Sequence, residues 1–338
     1  MLNLALSWLL LVPMSVQRAQ DPVQVTLVSD EAEAVLSALA KRAEGKPLEE
    51  ADWSRIFQSE GYRRLVQREQ SLNRSMDEAT FRTFVLSDAL LARAAALRQT
   101  LAQWKVLDAG AAGRKALAYL PDGAKIQARI YPVIKPASNS FVFEGNAIFL
   151  FVDPLQTPEK VENTLVHELH HIGYGSAFPA APAKAALEAL PEGRRQACHW
   201  IGAFGEGMAM LAAAGGPDIH PHAASPAPDR ARWDHDVAQF DADLRKVEAF
   251  LLALAQGRLQ GEAAQAQGMA FFGVQGPWYT VGWRMAVTIE RAFGRSVLLD
   301  CMRDPRLLLP TFNRAARARK EPCATWSPDL LQALEGRN

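Results

Sequence analysis

The chain has 338 residues, enough to bury a large core, and 49% of them are apolar while 22% are charged, which excludes a disordered or fibrous protein. Its 37 basic and 37 acidic residues balance, so no overall positive field points to nucleic acid as a partner. Cys198, Cys301 and Cys323 are too few for a disulfide framework and form no CxxC pair; pairing of Cys301 with Cys323 stays open beside buried reduced thiols.

Leu2–Val12 is an almost unbroken apolar run, too short to span a bilayer, and a polar stretch begins near Gln17. The pattern leads us to expect an export signal over residues 1–20, and hence a periplasmic or secreted protein. Against it stand the absence of Lys or Arg in the n-region and of a small-x-small site before Asp21. No later segment is long and apolar enough for a membrane helix.

Helical periodicity predicts Glu31–Ala43, Asp52–Leu72 and Asp77–Lys105, separated by breaks at Gly45–Pro47 and Ser71–Ser75. The pattern then changes. Lys125–Ile134, Ser140–Glu144 and Ala147–Asp153 are rich in Ile, Val and Phe with turn signals between, and predict a small antiparallel sheet. Thr157-Pro158-Glu159 follows as a helix start: Thr caps, Pro suits the first helical position, and Glu faces the positive end of the dipole. Phe178–Pro191 reads as a connecting excursion, and a helix from about Arg194 to Ala214 ends at Gly215-Gly216-Pro217. A proline-rich loop over Pro217–Pro228 leads to a further helical region from Asp229. Helices, a small sheet, then helices indicate an α+β, mostly helical fold. The expected organisation is an N-terminal helical region (21–122), a metal-binding core (123–216) and a C-terminal helical region (217–338).

The chemistry lies on the helix after the sheet. His167-Glu168-Leu169-His170-His171 is an HExxH motif. Residues four apart lie about 40° apart around a helix and one turn along it, so two imidazoles can grip one ion. Glu168 then projects beside the metal, placed to take a proton from a bound water. On the wheel Val161, Leu165, Leu169 and Ile172 form an apolar stripe while His167 and His171 face nearly the opposite side, as the wall of a cleft would. His170 points elsewhere and reads as a packing residue.

Catalytic zinc takes three protein ligands and leaves one position open. A metzincin would need Gly and His where this chain has Tyr174 and Ala177. A carboxylate on the following helix is the other source. Glu206 lies opposite the bulky Trp200, Phe204, Met208 and Leu211 and is flanked by Gly202, Ala203, Ala209 and Ala213, as if another helix must approach closely. His199, Asp218, His220 and His222 remain competitors. In Gly276–Arg284, aromatic and glycine-punctuated, Tyr279 is the candidate donor to the oxyanion that develops at an attacked carbonyl; a packed core aromatic is the other reading. Arg284 and Arg295 are candidates for a substrate carboxylate or for structural ion pairs. Ala147–Val152 is a candidate free edge for substrate backbone.

HExxH followed about 35 residues later by Glu206-Gly207-Met208-Ala209 resembles the gluzincin branch of zinc peptidases. With Trp53, Glu60-Gly61-Tyr62 and Tyr279 through Arg295, the chain resembles more narrowly an uncharacterised bacterial family of zinc-dependent peptidases. The resemblance implies a zincin-like core, Zn2+ held by His167, His171 and Glu206, Glu168 as base, and a peptide or protein substrate. A hydrolase of another amide or ester, and an envelope binding protein in which zinc is structural or absent, are the alternatives.

Overall fold

A computed structural model describes residues 21–71, 74, 76–137, 140–143, 146–177, 181–320 and 322–336. The expected export segment, 1–20, lies outside them. Strand β1 (Val23–Leu27) leads into helices α1 (Asp30–Ala43), α2 (Glu50–Phe57), α3 (Glu60–Ser71), α4 (Glu78–Val85), α5 (Asp88–Lys105) and α6 (Ala109–Leu117). Strands β2 (Ile126–Val133), β3 (Phe141–Phe143) and β4 (Ala147–Phe151) follow. The remainder is helical: α7 (Pro158–Ala177), α8 (Ala181–Glu188), α9 (Glu192–Ile201), α10 (Gly205–Ala214), α11 (Ala227–Ala238) and α12 (Phe240–Ala255). After these come α13 (Gly261–Ala270), α14 (Pro277–Phe293), α15 (Arg295–Arg303), α16 (Leu308–Arg317) and α17 (Pro328–Glu335). The fold is α+β and mostly helical.

Two long helices expected in the N-terminal region are each divided. At the breaks Ser59 and Ser87 accept from the backbone N–H groups of Tyr62 and Leu90, which starts a new helix in the middle of an apolar-periodic run. Helix α6 adds a segment that the periodicity did not single out, and α8 occupies part of the expected excursion.

The sheet is mixed rather than antiparallel, in the order β1-β2-β4-β3. Strand β1 pairs parallel with β2, β2 pairs parallel with β4, and only β3 runs antiparallel, against β4. Hairpin logic failed because β3 does not lie between its sequence neighbours: β4 turns back to pair with β2, and β3 lies on the outer edge. The run Ala147–Phe151 is therefore an interior strand, buried throughout, and not the free edge the sequence suggested.

Alternation along the strands divides the core. Ile130, Ile148 and Leu150 join a large cluster that also takes Val35, Leu165, Phe204 and Trp326, so the helices before and after the sheet share one interior. Tyr131, Val133 and Phe149 face the other side, where Leu65 of α3 covers them. The Glu60-Gly61-Tyr62 motif secures this junction. Asp30 accepts from the N–H groups of Glu60 and Gly61, while Glu60 binds Arg129 and the Tyr131 hydroxyl on β2. Tyr62 packs among Phe57 and Phe81.

Helix α7 starts as its sequence predicts, with Thr157 Oγ1 accepting from the N–H of Lys160. Its stripe of Val161, Leu165, Leu169 and Ile172 is buried. At Gly173 the helix runs so close to the sheet that a Cβ would stand 2.2 Å from Leu120 and 2.9 Å from Ile126. The expected helix 194–214 is interrupted by a 3-10 turn at Gly202–Phe204, which separates α9 from α10, and ends at Gly215 with φ +85°. Cys198, Cys301 and Cys323 are free thiols. Among the described residues no helix is long and apolar enough to cross a membrane.

Candidate metal centre and substrate cleft

One turn apart on α7, the rings of His167 and His171 stand edge to face at 4.7 Å between centroids and bring their Nε2 atoms to 3.1 Å. Across from them, Glu206 in the first turn of α10 sets Oε2 at 3.2 Å from His167 Nε2 and 3.1 Å from His171 Nε2. The three residues form a cluster able to hold a metal ion. The spacing suits a metal ion, because tetrahedral zinc at about 2.0–2.1 Å from nitrogen and oxygen donors sets them roughly 3.3 Å apart. Burial alone would raise the Glu206 carboxyl, but the facing imidazoles of His171 and His167 outweigh it and hold the group ionised. Burial opposes charge on His171, yet Glu206 pulls its pKa up to about 9.

Glu206 reaches this position because α10 and α14 nearly touch. A Cβ on Gly207 would lie 2.0 Å from the Trp283 backbone nitrogen, and one on Gly282 would lie 2.7 Å from the Phe204 carbonyl oxygen. Gly207, next to Glu206, serves that contact, whereas Gly202 borders open space. The same approach carries Tyr279 to the site, its ring parallel to His167 at 6.2 Å between centroids. Its hydroxyl engages the Glu206 carboxylate, and burial followed by the charges of Glu206 and Glu168 raises its pKa, so the phenol stays a donor.

A scan against family models matches residues 53–321 to the family described as "Putative zinc dependent peptidase (DUF5700)". The chain belongs to this family. No curated protein and no solved structure matches it. The region shared with this family runs from Trp53 through Tyr62, the HExxH helix, Glu206 and Tyr279, and so contains every residue just described.

The cluster of this family member opens on two sides. His167, Glu168 and Tyr279 line a cavity of about 520 Å³, together with Lys160, His222 and Gln275. His171 borders a second cavity of about 610 Å³ with Val142, Asn146 and Lys125. Ser140 lines the first and Val142 the second, so the segment carrying the edge strand β3 runs beside both. A cleft on this scale accommodates several residues of a peptide.

Other sequence candidates part from the cluster. His170 is buried, donates from Nε2 to the Tyr119 carbonyl at 3.2 Å and stacks on Tyr174; burial, with His171 and His167, pushes its pKa down to about 3. His199 packs against Trp200 and lines a separate pocket with Cys198. Asp218 pairs with Arg291 and His220 with Asp234. Arg284 lies over the Phe240 ring, and Arg295 binds Glu290 and the Tyr119 hydroxyl.

His222, named above as a competitor for the third ligand, is only 2% exposed and packs against Trp233. Its Nδ1 meets Ser225 Oγ at 2.9 Å and its ring lines the His167 cavity. No local pattern in a proline-rich loop announces that inward turn. Lys160, also missed, had a signal: seven residues before His167 it lies within about 20° of it on a helical wheel.

Proposed function

We propose that the protein is a zinc-dependent hydrolase that cleaves peptide bonds, of the gluzincin type. One observation carries the reading: two imidazole nitrogens and one carboxylate oxygen converge at the edge lengths of a tetrahedral zinc site, with Glu168 on the wall of the adjoining cavity. His167, His171 and Glu206 are the ligands in this reading. When bound, zinc would lower the pKa of a water and polarise the carbonyl under attack.

Glu168 acts as general base, taking the proton of the attacking water and returning it to the leaving amine. Tyr279, protonated and beside the ligands, donates to the developing oxyanion. The edge of β3 is placed to pair with substrate backbone as an added strand.

The test is zinc content of the purified protein together with a peptide-library digest, run beside Glu168→Gln. Zinc near one per chain in both proteins is expected, with turnover by Glu168→Gln reduced on the order of 10²- to 10⁴-fold. A zinc-loaded wild type that cleaves no peptide would end the peptidase reading, and undiminished turnover by the variant would remove Glu168 from its role.

A further inference from the structure

We propose that Lys160 forms a carboxylate-recognition subsite in the His167-side cavity, so that the preferred substrate is a peptide carrying a carboxylate one to three residues from the scissile bond. The proposal deepens the peptidase reading and rests on it. Lys160 lies in the first turn of α7, half-buried, and lines the same cavity as His167, Glu168 and Tyr279.

Three features make a structural role a poor account of this lysine. Among the described residues its ammonium group has no hydrogen-bond or ion-pair partner. The acidic residue facing it, Asp229, is held by Arg232 at 2.9 Å. The first turn of a helix also disfavours a cation, since the dipole presents its positive end there. Burial lowers the Lys160 pKa, with the Asp229 charge opposing it. A desolvated, unpaired cation at a helix N-terminus is destabilising by each of these measures, and an anion entering the cavity would reverse them together.

The surroundings suit a carboxylate. His222 lines the same cavity; its Nε2 is enclosed, and the Gln275 side chain interacts with the imidazole. Gln275 adds an amide to the lining. Position and length set the register. Seven residues of helix separate Lys160 from His167, about 10 Å along the axis. Extended peptide advances about 3.3 Å per residue, and the lysine side chain shortens the gap, which leaves one to three residues between the reacting carbonyl and the recognised group. Either the free C-terminus or an acidic side chain meets that requirement.

The experiment measures binding to zinc-loaded Glu168→Gln, and hydrolysis by zinc-loaded wild type, for three matched peptides. One has a free C-terminal acid, one is amidated and neutral, and one is amidated with a Glu two residues from the cleavage point. A preference of about 10- to 100-fold for a carboxylate-bearing peptide over the neutral amide is expected, and which of the two is preferred identifies the source. Lys160→Met in the Glu168→Gln background should abolish the preference, Lys160→Arg should keep it, and Lys160→Met alone should raise the melting temperature. Equal binding of all three peptides, no binding of any, or a preference that survives Lys160→Met would overturn the subsite. Failure of the peptidase reading looks different: the preference is present in binding and depends on Lys160, but wild type hydrolyses nothing.

Discussion

At the scale of single residues, environment separates groups of one chemical type. His167, His170 and His171 are near neighbours in sequence, yet two point to Glu206 and the third is buried against Tyr119 and Tyr174. Tyr279 is distinguished in the same way, as a half-buried phenol beside two carboxylates. We expect Tyr279→Phe to retain zinc while turnover falls on the order of 10²-fold, read as kcat on a peptide substrate. Unchanged kcat would leave Tyr279 as a packing ring only. Glu31 provides a test remote from the cleft. It is fully enclosed, one carboxylate oxygen accepts from the Ile134 N–H at 2.9 Å, and burial pushes its pKa up to about 8. Between its ordinary value of 4.5 and about 8 the folded state therefore holds more protons than the unfolded, so stability falls as pH rises through that window. Glu31→Gln should flatten the decline, as measured by urea unfolding at pH 5 and pH 8. An identical pH slope in the variant would show that Glu31 ionises freely in the fold.

At the scale of elements, the site depends on how closely α10 and α14 cross. Helix α7 carries two of the clustered residues by its own periodicity, but Glu206 and Tyr279 come from helices whose meeting point is set by Gly207 and Gly282. Gly207→Ala would drive a methyl group into the Trp283 and Gly282 backbone, which cannot rotate away. Destabilisation of about 3 kcal/mol or more is expected, with weakened zinc binding because Glu206 is the adjacent residue. Denaturant midpoint and zinc affinity measure the two effects. A variant as stable as wild type would show that these helices do not make the contact described.

At the scale of the whole molecule, the two halves of the cluster are brought together by a shared interior. Residues from Val23 to Leu330 belong to one hydrophobic cluster, with α7 packed between the sheet and α10. A metal bridging α7 and α10 should therefore stabilise the global fold and not merely a local loop. Zinc at a hundredfold excess over its Kd contributes about 2.7 kcal/mol, which for a chain of this length corresponds to a rise in Tm of about 4 °C. Chelation should reverse that rise and zinc should restore it. A Tm indifferent to zinc in a protein that binds one equivalent would mean that the metal sits elsewhere.

Local signals, each complete within about 20 residues, were legible without the fold. They include the Thr157 cap, the buried stripe of α7, the outward pair of imidazoles and the small-residue face around Glu206, because helical geometry alone relates residues three and four apart. The limits of α2–α5 were less legible, since a serine cap inside an apolar-periodic run competes with continuation of the helix. Sheet order and the company of Lys160 and His222 were decided only in three dimensions. Strand partners, and the charges that face a buried lysine, come from segments tens of residues away, and no short-range periodicity encodes which distant segments meet.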